Sequence, residues 1–273
     1  MRKKYGFILF FVLLACGKLY PQVTVAPVTV HLSDAERNGY IVVRNNSNIT
    51  PWEVSIDMKF GYPVSDSSGK TVMHFPEKES DSDPSAVKWI TFYPRKFVLQ
   101  PLEEQTVRIA AKPKNVKEGE YWGRPVITSK AVNAEDTTGK EKINVGLSVE
   151  FRSVIALNYR RGNVKTGINF ENLSGKFEEN RFVLFAKMSR EGNAAYIGNL
   201  IANITNDKGT VVKEIKQDVS VYYDLNKRIE IETGKLPPGK YTVSVQLNTD
   251  REETGGKILK GNTAEKKITV TVN

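Results

Sequence analysis

Short runs of alternating apolar and polar residues dominate the chain. Trp52, Val54, Ile56, Met58 and Phe60 alternate with Glu53, Ser55, Asp57 and Lys59, which predicts a long strand with one buried face. Upstream, Val23 and Val25 alternate, and Val28, Val30 and Leu32 do so in the opposite phase. Pro27 stands at the phase change and has no N–H for a ladder, so the first strand is expected to kink there and cross between sheets. Val107 and Ile109 open another strand after Pro101, and Tyr121 and Trp122 another after Glu118-Gly119. In the second half, strands are expected at Arg181–Met188, Tyr196–Thr205, Thr210–Ile215, Val219–Tyr223, Ile229–Ile231, Tyr241–Leu247 and Lys267–Val272. Asn206-Asp207-Lys208-Gly209 predicts a hairpin turn with a positive φ at Gly209. Pro237-Pro238-Gly239 predicts a rigid turn before the penultimate strand. Neither half carries a competing 3.6-residue apolar period.

This pattern predicts an all-β chain of two consecutive immunoglobulin-like β-sandwich domains. Ten of the twelve prolines and all three tryptophans precede residue 126, so the composition changes between the halves. The joint is expected near Gly162, giving domains at 23–161 and 163–273.

Residues 1–22 read as a signal segment. Arg2, Lys3 and Lys4 precede an apolar run of about a dozen residues from Tyr5 to Cys16, too short for a membrane span. Leu13-Leu14-Ala15-Cys16 resembles the lipobox of bacterial lipoproteins, which would make Cys16 a lipidation site. Plain cleavage around Gly17 or before Gln22, with Cys16 discarded, is the alternative. Either way the reading is an exported protein of a bacterial periplasm or envelope, touching membrane only through a lipid anchor.

Ile143, Val145, Leu147, Val149 and Phe151 alternate without a miss, and Arg152-Ser153 breaks the phase before Val154 to Leu157. The polar, charged stretch Ser129–Lys142 precedes them. A long last strand after such a loop is well placed to take part in strand addition; the alternative is an ordinary strand burying one face in its own sandwich.

Composition narrows the chemistry. The formal charge of +9 falls to +6 once residues 1–15 and their three cations are removed, and the lysines are dispersed, which argues against nucleic acid as a partner. A mean hydropathy of -0.38 excludes a polytopic membrane protein. One cysteine excludes a disulfide framework and a Cys-based metal site. His31 and His74 belong to no Ser/Asp constellation, no phosphate-binding Gly loop occurs, and Asp81 and Asp83 lack the glycine and terminal Glu of a calcium loop. The reading is therefore a non-enzyme with no catalytic residues, metal or cofactor.

Several segments resemble the periplasmic pilus-assembly chaperones of the PapD kind. Pro94-Arg95-Lys96-Phe97-Val98-Leu99-Gln100-Pro101, followed by Val107-Arg108-Ile109, is similar to that family's proline-bounded strand and the strand after it. Glu118-Gly119-Glu120-Tyr121-Trp122 resembles its acidic-aromatic signature, up to the point where Gly123-Arg124-Pro125 departs from it. Leu147, Val149 and Phe151, with Leu157-Asn158-Tyr159-Arg160 downstream, resemble its last strand, whose alternating apolar residues complete an unfinished pilin fold. The resemblance covers roughly residues 23–161. It implies a chaperone that binds an extended segment of an exported subunit or envelope protein along Val145, Leu147, Val149 and Phe151. It also implies an Arg and a Lys that hold the client's terminal carboxylate, but alignment places those positions at Thr29 and Ala156, neither of them cationic. Arg152 and Arg160 are the nearest substitute anchors. The reading from another class is a structural or adhesion envelope protein whose sandwiches only pack against neighbours.

Overall fold

A computed structural model describes residues 22–132, 149–251 and 257–273. The signal segment with Cys16, and Ile143, Val145 and Leu147, lie outside the described residues. The strands fall into two groups whose sheets share no member. The first comprises β1 (Val23–Ala26), β2 (Thr29–Ser33), β3 (Asn38–Asn45), β4 (Trp52–Lys59), β5 (Tyr62–Ser65), β6 (Thr71–His74), β7 (Ile90–Tyr93), β8 (Lys96–Leu99), β9 (Glu104–Ala111), β10 (Gly119–Ala131), β11 (Glu150–Val154) and β12 (Ala156–Arg161). The second comprises β13 (Thr166–Glu178), β14 (Arg181–Gly192), β15 (Tyr196–Thr205), β16 (Val211–Val221), β17 (Asp224–Glu232), β18 (Gly239–Asn248) and β19 (Ala264–Val272).

In the first sandwich, one sheet runs β1-β3-β9-β7 and the other β2-β12-β10-β4-β8, with β11 paired to β10. The alternation of β4 buries Trp52, Val54 and Ile56 as expected. Val54 and Ile56 meet Ile41, Val43, Val107 and Ile109 of the facing sheet, the inner rows of two sheets closing one core. The first strand switches sheets at Pro27: β1 pairs β3 antiparallel, and β2 pairs β12 parallel. Val28 corrects the expected pattern. It lies between the two strands and is 71% exposed, whereas Val30 and Leu32 are buried.

The long last strand is also corrected. Within the described residues it is two strands broken at Ile155, where the chain stands opposite Pro125 of β10. Residues 119–123 of β10 pair β12, and residues 126–130 pair β11. The Ile155 N–H donates to the Pro125 carbonyl (3.1 Å) and the Ala156 N–H to the Val28 carbonyl (3.0 Å), so the backbone changes partner within two residues.

The second sandwich packs β13-β14-β17 against β16-β15-β18-β19. Its hairpin turn forms as expected: Gly209 has φ +78°, and the Asn206 carboxamide oxygen accepts from the Lys208 and Thr210 N–H groups. The two strands expected at 210–223 are one continuous strand, β16, and β13 is an addition to the expected set.

The contacts that join the sandwiches include an aromatic cluster, a buried carboxylate and a hairpin. Phe60, Trp122, Ala195 and Tyr222 form a buried cluster, with Trp122 edge-on to Tyr222 (4.6 Å) and Tyr223 (5.3 Å). Glu120, fully buried, accepts from Trp122 Nε1 (3.1 Å), the Ala195 N–H (3.2 Å) and Arg160 Nε (2.8 Å). The β5–β6 hairpin reaches β17, where the Asn226 N–H donates to Ser65 Oγ and the Arg228 N–H to the Gly69 carbonyl.

Candidate functional site: an open sheet edge

The chain crossing at Pro27 fixes which sides of the two sheets lie together. β1 ends one sheet and β2 the other, so both sit on the same flank of the sandwich. On that flank β2 covers β12, while among the described residues β11 pairs only with β10. Among the described residues the upper half of the flank therefore ends in a strand with one unpaired edge, the geometry that can accept another strand.

The two faces of β11 differ chemically. Val54, Ser129 and Phe151 share one cross-strand row, as do Ile56, Ile127 and Ser153. Val54 and Ile56 are core residues, so Phe151 lies on the inner face. There it remains 46% exposed, and Val149, two residues away, 38% exposed. The Phe151 ring covers the edge of Trp52, which is only 2% exposed. The core thus opens on this flank through Phe151 and Val149.

The opposite face of β11 is charged. Glu150 lies between Lys130 of β10 (3.1 Å) and Arg152 (2.7 Å), and these two cations hold its carboxyl below the usual range. Charges on the outer face of an edge strand discourage indiscriminate pairing.

The structure separates the two arginines named as substitute anchors. Arg152 is exposed and paired with Glu150. Arg160 is largely buried, its Nε committed to Glu120 and its Nη1 to the Lys257 carbonyl. Thr29 and Ala156 are direct partners in the β2–β12 register, so the two positions aligned with the family's cationic pair do meet, but as uncharged residues. Glu120 belongs to the signature seen in the sequence; that its carboxylate bridges the sandwiches is not legible there, because its partners lie 40 and 75 residues away. No group of three or more His, Cys, Asp or Glu side chains able to hold a metal occurs among the described residues.

No family model and no curated protein matches the chain. Solved structures do. The CupB2 chaperone of Pseudomonas aeruginosa is similar over 90% of this chain and 100% of its own, at 14% identity and a TM-score of 0.43. The E. coli chaperone DraB is similar over 92% and 95%, at 18% identity and a TM-score of 0.40. The CsuC–CsuE chaperone–tip adhesion subunit complex of Acinetobacter baumannii contributes a match over 92% and 98%, at 10% identity and a TM-score of 0.45. The likeness is to pilus chaperones. At these identities and scores it reaches no further than the β-sandwich fold, and the reading of the site rests on the site's own geometry.

Proposed function

We propose that this protein is an exported, non-enzymatic chaperone-like binder that holds an extended segment of another exported subunit as a strand added to β11. The observation that carries this reading is the edge of β11 that no described strand pairs, with Phe151 and Val149 half-exposed on its core-facing side. Added strands gain affinity from main-chain hydrogen bonds and specificity from alternate side chains. Here the alternate apolar side chains of the partner would continue the core over Trp52. Val145 and Leu147 extend the same alternation in sequence and belong to the proposed binding strand. The basic, short apolar leader supports delivery to the periplasm, and residues 23–161 and 163–273 are taken as the two domains.

The test is affinity capture from an envelope fraction with the whole protein and three variants. Val149→Asp and Phe151→Asp put a charge where an apolar contact should close, costing several kcal/mol at a dry site. Both should lose the partners retained by the wild type. Val211→Asp, at an exposed position on β16 of the second sandwich, should keep them. Full retention by folded Val149→Asp and Phe151→Asp would favour the structural-module reading, in which no partner engages this edge.

A further inference from the structure

The two ends of the first sandwich differ in chemistry. At one end lie the start of β1, the β3–β4 and β8–β9 turns, and the residue that follows β10. Among the described residues this end comprises Gln22, residues 46–51, residues 100–103 and Val132, and of these twelve only Glu103 is charged. At the opposite end, residues 34–37 and 112–118 join β2 to β3 and β9 to β10, and seven of these eleven are charged. The charged fraction of the whole chain is 26%, so the first end is poor in charge and the second rich.

The charge-poor end presents apolar side chains to solvent. Ile49 is 86% exposed, Leu102 57% and Val132 40%. Backbone hydrogen bonds gather their loops. The Ser47 carbonyl accepts from the Leu102 N–H (3.1 Å), Ser47 Oγ accepts from the Ile49 N–H (3.3 Å), and the Val132 N–H donates to the Pro51 carbonyl (3.0 Å). Leu102 holds φ +63°, a conformation that glycine or asparagine adopts more readily than leucine. The carboxylate of Glu103 turns back onto its own turn and accepts from the Gln100 N–H (2.7 Å).

The chain enters the fold at this same end. The Gln22 carbonyl accepts from the Asn46 N–H (2.7 Å), and Val23 pairs with Asn45. Cys16, the lipidation site that the lipobox reading names, is six residues upstream of Gln22. Six residues span at most about 20 Å, whatever their conformation. A lipid on Cys16 would therefore keep this end within that distance of a bilayer surface. Exposed apolar side chains on charge-poor loops suit the boundary between headgroups and acyl chains, and they add a second contact to that of the lipid. We propose that this end of the first sandwich docks on the lipid bilayer, with Ile49 and Leu102 entering the headgroup region beside the acylated N-terminus. The inference rests on the lipobox reading of Cys16 and not on strand addition. Because β11 begins at this end, with Glu150 opposite Lys130, docking would also hold the β11 edge beside the membrane.

Vesicles of phosphatidylethanolamine and phosphatidylglycerol test this with the mature protein purified from its own envelope. Metabolic labelling with a palmitate analogue first checks the acyl chain on Cys16, the only cysteine of the chain, whose thiol the lipid occupies. An environment-sensitive fluorophore is then attached to Ile49→Cys, Leu102→Cys or Val211→Cys, the last an exposed control on the second sandwich, each checked for folding by thermal melting. In vesicle-bound protein the probes at 49 and 102 should brighten about twofold or more and be quenched by spin-labelled acyl chains, and the probe at 211 should do neither. Probes at 49 and 102 that behave like the one at 211 would overturn the proposal. So would an unacylated Cys16, which leaves no tether at this end, or brightening that needs added envelope proteins and not vesicles. Capture by the β11 variants is read separately, so the two readings can fail independently.

Discussion

The Phe151 ring lies 5.4 Å from that of Trp52, tilted by 48°, with Trp52 in the core and Phe151 half in solvent. The pair marks where the first sandwich stops being closed. Stability and binding should therefore separate at these two neighbouring positions.

Trp52→Ala removes a buried ring from the head of β4 and should lower unfolding free energy by about 3–5 kcal/mol. Phe151→Ala removes a side chain that is already half exposed and should cost about 1 kcal/mol or less. Chemical denaturation of both variants checks the contrast. Equal losses would mean that Phe151 is a core residue and not part of an open edge.

Glu120 and Arg160 form the most buried ion pair of the junction. Glu120→Gln leaves the Arg160 charge without its counterion and the Ala195 N–H with a weaker acceptor, an expected loss of about 3–5 kcal/mol. Scanning calorimetry should show the joint unfolding of the two sandwiches splitting or broadening. A single unshifted transition would contradict the role assigned to Glu120.

His31 provides a pH prediction. Burial first, then the charges of Arg160 and Lys257, lower its pKa from 6.5 to about 4. Above about pH 6.5 the imidazole is neutral in both folded and unfolded chains, and this contribution is fully present. As pH falls from 6.5 towards 4, the unfolded chain takes up a proton that the folded one refuses, so stability is lost by up to about 3 kcal/mol. His31→Gln should flatten the decline between pH 7 and pH 4.5, as read from denaturation midpoints at the two pH values. An unchanged slope would mean that other groups carry the acid sensitivity.

Legibility in the sequence follows local regularity. The inner face of β4 can be read because its alternation is unbroken, and the sheet switch at Pro27 because proline and a phase change coincide. β13 escapes the pattern because a bulge between Phe170 and Asn172 shifts its register, and Gly167, Asn169 and Gly175 dilute its alternation. The β5–β6 hairpin escapes it because β6 is exposed along its length and β5 is only half-buried, the hairpin taking its place from β17. At the site, alternation suffices to name Val149 and Phe151, but that β11 stops before Ile155 depends on Pro125, a residue of another strand.

Amide hydrogen exchange over Glu150–Val154 tests most directly whether β11 receives a partner strand. The exchange is compared in the free protein and in the complex recovered from the envelope. Strand addition predicts that the β11 amides not bonded to β10 exchange fast in the free protein and become protected in the complex. Protection appearing elsewhere, with β11 exchange unchanged, would contradict it.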